Sequence, residues 1–344
     1  MKPVAAALRL LIGLFVFGSL AAIPATAATT IARTTSIPKC AVFVDAANAA
    51  GGAGTLAQPH ATIAAAIAAA PPGAVICVAE GTYAESLSPG EKYFTLAGGF
   101  QRGSAFAVRD SAKYVTRAQG KGGSFVRFED PSPSGDKLVA IDGFEITGYA
   151  QAIFREFYES QRFDITNNFI HGNSCADQSL AGAGFALNNV SGNIRGNVIQ
   201  GNACGRGGAG FINDTTNKNT VLIEGNLIDG NAGTEPGSSH GGALYLFVNR
   251  VTVLNNTFTR NSVTQWGAAS TSAPTPRAAS RLLRRWRRTS TAATKPATAA
   301  AASSATMAQR ASARTKSTRR TAAATSCSTA ALRAQDRQPP SSNG

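Results

Sequence analysis

The chain has no apolar run long enough to cross a membrane as a helix. Its longest, Leu10 to Ile23, is interrupted by Gly13, Gly18 and Ser19 and falls short of the roughly 20 apolar residues that such a span requires. Lys2 and Arg9 precede this run and the small residues Ala25-Thr26-Ala27 follow it, so residues 1–27 read as a secretory signal. Its removal leaves no expected membrane span, and the mature chain is expected outside the cytoplasm, secreted or at the cell surface.

Negative charge is nearly missing from the C-terminal part. Residues 267–344 hold 14 Lys+Arg and one acidic residue, net +13, whereas residues 1–266 hold 19 Lys+Arg and 18 Asp+Glu, net +1. The formal charge of +14 therefore belongs to the tail, and the part with folding potential carries no electrostatic footprint for nucleic acid. The tail also lacks Val, Ile, Phe and Tyr altogether; it cannot bury a core and is expected to be disordered.

The junction points to out-of-frame translation. A coding run GGC GGC GGC ATC TAC GTC, for Gly-Gly-Gly-Ile-Tyr-Val, becomes GGC GCG GCA TCT ACG TC on loss of one base. That reads Gly267-Ala268-Ala269-Ser270-Thr271-Ser272, as found. Ala-rich runs closing on Ser recur at Ala299–Ser303 and Ala322–Ser326, where the same shift would conceal Gly-rich turns leading into apolar strands. The expectation is a frameshift that truncates the C-terminal part; a genuine low-complexity tail is the other reading.

A helical hydrophobic period is absent from residues 138–263. What recurs instead is Ile165-Thr166-Asn167-Asn168-Phe169-Ile170-His171-Gly172-Asn173, again from Ile194 to Asn202, Ile223 to Asn231 and Val253 to Asn261, at intervals of 29, 29 and 30 residues. A degenerate copy, Ile141 to Gly148, lies 24 residues upstream of the first. Between copies sit Gly182-Ala183-Gly184-Phe185, Gly207 to Ile212 and Gly241 to Leu246. Each period holds several short apolar strands parted by Gly or Asn, too short for a strand–helix–strand crossover and suited to one coil of a solenoid. Asn and Gly tolerate the left-handed backbone of a sharp corner. Asn168, Asn197, Asn226 and Asn256 are therefore expected at one corner, stacked about 4.8 Å apart with each side-chain amide bonding to the next.

Upstream, Val42 to Asp45 reads as a strand, Thr62 to Ala70 as a short helix stopped by Pro71-Pro72-Gly73, and Val75 to Val78 as a second strand. With Gly54-Thr55, Pro59, Ala66-Ile67 and Glu80-Gly81-Thr82-Tyr83, this series resembles the capping region of pectate-lyase-like β-helix proteins. Leu96 to Phe100 is similar to their early coil, and the Asn/Gly repeats to their later ones. The resemblance, over about residues 40–266, implies an all-β chain, a right-handed parallel β-helix solenoid with a short N-terminal capping helix, to which composition adds the disordered C-terminal tail. The divisions expected are 1–27 signal peptide, 28–73 strand and capping helix, 74–266 β-helix coils, and 267–344 out-of-frame tail. A monomer is expected.

Chemistry is less legible. Two aligned columns are expected to face outward: Asp142, Thr166, Arg195, Glu224, Leu254, and Thr147, His171, Gln200, Asp229, Thr259. The candidate catalytic residues are Arg195, Glu224, Asp229 and His171, with Arg195 and Glu224 expected to form a surface ion pair of little energetic weight. His171 and His240 read as solitary, without partners for zinc. Family lyases use carboxylates to bind Ca²⁺ against an acidic sugar, so Ca²⁺ enters by resemblance alone, and no column stacks two carboxylates. Gly207-Gly208-Ala209-Gly210 is not a phosphate loop, since no Lys-Ser/Thr follows it. Cys175 and Cys204 lie one repeat apart in equivalent loops, and Cys40 and Cys77 border the capping strands; both pairs are expected to be disulfides, leaving Cys327 over. Two functions fit: a non-catalytic scaffold that engages a polysaccharide or cell-surface glycan, or a polysaccharide lyase or glycoside hydrolase whose active site lies on coils missing from this chain.

Overall fold

A computed structural model describes residues 35–48, 51–129, 134–156, 159–236, 240–263 and the backbone of 270–271. Residues 1–27, expected to be a signal sequence, and the tail beyond 271 lie outside the described residues.

The strands form parallel sheets that wind as successive coils. One coil contributes Val190–Arg195 to a first, eight-stranded sheet, Val198–Gln200 to a second, seven-stranded one, Ala203–Cys204 to a small three-stranded one and Gly210–Asn213 to a third, six-stranded one. The next coil repeats this with Val221–Glu224, Leu227–Asp229, Ala232–Gly233 and Leu244–Phe247, and all four pairings are parallel and in register. Period-two alternation explains the core. In the first sheet Val42, Ile76, Leu96, Ile141, Ile165, Ile194, Ile223 and Val253 form one continuous inward column, all buried. Each such side chain removed from water contributes about 1.5–3 kcal/mol.

The corners refine the expected role of Asn. The residues with positive φ are Gly143, Asn167, Gly196, Gly225 and Asn255 at one corner and Gly148, Gly172, Gly201, Gly230 and Arg260 at the next. Asn168, Asn197, Asn226 and Asn256 each follow the left-handed residue rather than being it. Two jobs fall to two neighbours: one turns the chain, and the next points its amide inward. Asn168 donates from its backbone N (2.9 Å) and Nδ2 (3.1 Å) to Asn197 Oδ1. Asn197 donates likewise to Asn226, and Asn226 to Asn256. The second Nδ2 hydrogen goes to a main-chain carbonyl, as from Asn197 to Ile165 O at 2.8 Å. Asn173, Asn202, Asn231 and Asn261 build a second ladder of the same kind at the other corner.

The helix Ile63–Ala69 covers the first coil through buried Ile63, Ala66 and Ile67. A helix of seven residues is not self-sufficient in water, and its ends are held from outside. Thr62 Oγ1 accepts from Ala65 N, Glu85 accepts from Ile63 and Ala64 N, and Lys92 Nζ donates to Ala68 O and Ala70 O.

One boundary moves. Ser270–Thr271 forms a strand that pairs with Tyr245 and Leu246, supplying the last coil's strand of the third sheet, beyond the limit of 266 drawn from composition. Ladder pairing uses only backbone N–H and C=O groups, so the loss of apolar side chains after Trp266 does not by itself end the sheet.

Disulfides join Cys40 to Cys77 and Cys175 to Cys204, with Cα–Cα distances of 5.7 and 4.8 Å. The second bond staples adjacent coils across 29 residues, a loop whose closure contributes about 3–4 kcal/mol. Replacing both Cys175 and Cys204 by Ser is expected to lower stability by that amount in urea titration, and the unreduced parent should take up no thiol reagent at either position. Labelling of Cys175 without reductant would contradict the bond.

Candidate functional site

The outward columns place the candidate residues as follows. On the first sheet, Asp142, Thr166, Arg195, Glu224 and Leu254 are register partners in succession. Arg195 Nη2 lies 3.0 Å from Glu224 Oε2, with the two side chains 54% and 26% exposed. A pair that open to solvent is worth about 0–1 kcal/mol.

On the second sheet, Thr147, His171, Gln200, Asp229 and Thr259 share a column. Asp229 is buried and fully engaged: it accepts from Gln200 Nε2 (3.0 Å), Thr259 Oγ1 (2.7 Å) and Arg260 Nε (2.8 Å), with a further bond from Arg260 Nη2. The Arg260 bonds hold its carboxyl below the usual carboxylate range. Arg260 is also the one corner residue of its series that is not glycine, so the ion pair anchors a strained backbone.

His171 is not solitary. Its Nε2 is 2.9 Å from Glu145 Oε1, its ring stacks on Phe169 at 4.1 Å, and Glu145 also meets Arg117 at 3.1 Å. Burial raises the Glu145 carboxyl, but the bonds from His171 and Arg117 outweigh it and hold the group low. Column alignment missed this triad because Glu145 pairs with Phe169, one column over, and reaches His171 diagonally.

Glu145 and Asp229 are three coils apart, roughly 14 Å at one strand spacing per coil. Paired carboxylates of glycoside hydrolases stand about 5–9.5 Å apart. The structure does not bring His171, Asp229 and the Arg195–Glu224 pair to one point. Ca²⁺ requires six to eight oxygens. Glu145, Asp229 and Glu224 are each tied to a cation, and among the described residues no group of three His, Cys, Asp or Glu could hold a metal. These residues do not fit Ca²⁺.

Residues 134–275 match the family model described as right handed beta helix region. The chain is a right-handed parallel β-helix protein. No curated protein and no solved structure matches it.

Two further features of the β-helix escaped sequence reasoning. Arg109, buried with a 2% exposed side chain, donates to Gly98 O and Ser36 O at 2.8 Å and pairs with Asp142. It ties the leading segment, an early coil and the first degenerate repeat together. Arg155 sits inside the solenoid opposite Leu187, donating to Gln161 Oε1 and Glu159 O at 2.7 Å and to Asn188 O; desolvation pushes its guanidinium down to about 10. No periodic signal marks either residue, since each occurs once. The β-helix has no helix among the described residues long and apolar enough to cross a membrane, and its two disulfides are bonds that persist in oxidising surroundings.

Proposed function

We propose that this β-helix protein is an exported, non-catalytic scaffold whose sheet faces engage a polysaccharide or a cell-surface glycan. The observation carrying this reading is the pairing of its outward carboxylates: Glu145, Glu224 and Asp229 each meet a basic side chain. Such side chains are set to present a fixed, repetitive surface, and a carboxylate held by a cation is a poor general base. The repeat itself suits an extended ligand, since equivalent positions recur at about 4.8 Å along the axis.

The test is co-sedimentation of the secreted protein with insoluble polysaccharides, alongside assays for new reducing ends and for unsaturated uronate absorbance. Binding without depolymerisation is expected, unchanged in Asp229→Asn. Depolymerisation that Asp229→Asn or Glu145→Gln abolishes would replace this reading by the lyase or hydrolase one.

A further inference from the structure

The third sheet carries outward residues that neither the ladders nor the paired carboxylates use. In one column Arg127, Phe154, Ala186, Phe211 and Tyr245 are register partners, and in the next Asn188, Asn213 and Phe247. Phe211 and Tyr245 stack with centroids 5.5 Å apart, His240 packs 5.5 Å from Tyr245, and Phe247 is 41% exposed. Beside the rings runs a short amide chain: Asn213 Nδ2 donates to Asn188 Oδ1 at 3.1 Å, and Asn188 Nδ2 to Arg155 O at 3.2 Å. Asn213 is half-buried on the same outward face, in register with Phe247. Glycines fix the approach to the rings. At Gly207 an added Cβ would come 3.0 Å from Tyr245 Cβ and 2.4 Å from Gly210 O, so the strand's entry leaves no room for a side chain to shield the column.

We infer that this strip of Phe211, Tyr245 and Phe247, with Asn213 beside it, is the contact surface for a neutral, extended glycan lying along the solenoid axis. The inference rests on the glycan reading above and names its face and ligand class. Three features select the occupant. The outer edges of the stacked Phe211 and Tyr245 and the exposed ring of Phe247 offer apolar contact to the C–H groups of a pyranose, while a carboxamide and a phenol answer its hydroxyls; a lipid surface would use only the rings. None of these four side chains is acidic or basic, and Arg127, three coils before Phe211 in the same column, is already paired with Glu129, so the strip itself offers a charged sugar no ion-pair partner. The coil rise of about 4.8 Å is close to the advance per unit of an extended, equatorially linked glycan, so rings on adjacent coils fall beside adjacent sugars.

The experiment is affinity measurement by calorimetry on the full chain with three probes: cellohexaose, hexa-N-acetylchitohexaose and hexagalacturonate. The expected result is binding of a neutral hexamer that weakens at least tenfold in Tyr245→Ala and in Phe247→Ala, and does not weaken in Phe169→Ala on the second sheet. Phe247 is exposed enough that its removal leaves the core intact, and far-ultraviolet circular dichroism checks each variant. Neutral binding that survives both substitutions, or binding of the acidic hexamer alone, overturns the assignment to this face while leaving the glycan reading standing. Binding of none of the three, with none in the co-sedimentation assay, removes both.

Discussion

Asn197→Ala is expected to lower the unfolding free energy by about 3–6 kcal/mol, well beyond an ordinary surface or hydrogen-bond substitution. Asn197 is fully buried, and its Oδ1 is the acceptor for both the backbone N and the Nδ2 of Asn168. Its own Nδ2 supplies Ile165 O and Asn226 Oδ1. Truncation therefore leaves two donors and a main-chain carbonyl without partners inside the solenoid, each costing about 1–3 kcal/mol. Asn197→Asp keeps the shape and the acceptor but removes both donors and adds a charge, so it should be at least as damaging at neutral pH. Urea unfolding followed by circular dichroism measures both. A loss under 1 kcal/mol for Asn197→Ala would mean that the ladder adds little beyond the inward apolar columns.

Arg109→Met should cost about 3–5 kcal/mol, the usual effect of breaking a buried ion pair from one side. The substitution keeps the apolar stem but leaves Asp142 without its cation and removes the Arg109 bonds to Gly98 O and Ser36 O. Its effect should also be directional. The segment around Ser36 should exchange its amide hydrogens faster in Arg109→Met, while the coils beyond Ile165 keep their protection. Uniform loss of protection across the solenoid would show instead that Arg109 sets global stability and is no local clamp.

These two residues mark what a sequence discloses and what it hides. The coils were legible because Ile165, Ile194, Ile223 and Val253 must point inward at the same place in every turn, and geometry that repeats in space writes itself as spacing in the chain. The same spacing aligned Cys175 with Cys204. The helix was legible from Thr62 and Pro71 at its ends. The division of labour at the corners was hidden, because Asn167 and Asn168 look alike as letters and differ only in φ. The Arg117, Glu145 and His171 triad was hidden because it runs diagonally between columns. Arg109 was hidden because a clamp made once leaves no repeat to find. The aromatic strip lay in plain view as Phe211, Tyr245 and Phe247, but facing direction on the third sheet follows only from the register with Ala186 and Asn188.

The two amide ladders have a direction. Phe144 N donates to Asn168, Asn168 to Asn197, and so on to Asn256; Tyr149 N begins the parallel series that ends at Asn261. In every bond to a ladder Oδ1 the acceptor belongs to the later coil, while the other Nδ2 hydrogen reaches back to a carbonyl of the earlier one. The corner amides of each coil are thus completed by the coil that follows, and the coil that completes them carries the next set of donors. The two ends of such a solenoid are therefore chemically unlike: the first coil offers spent donors, and the last of the described coils offers donors that still need an acceptor.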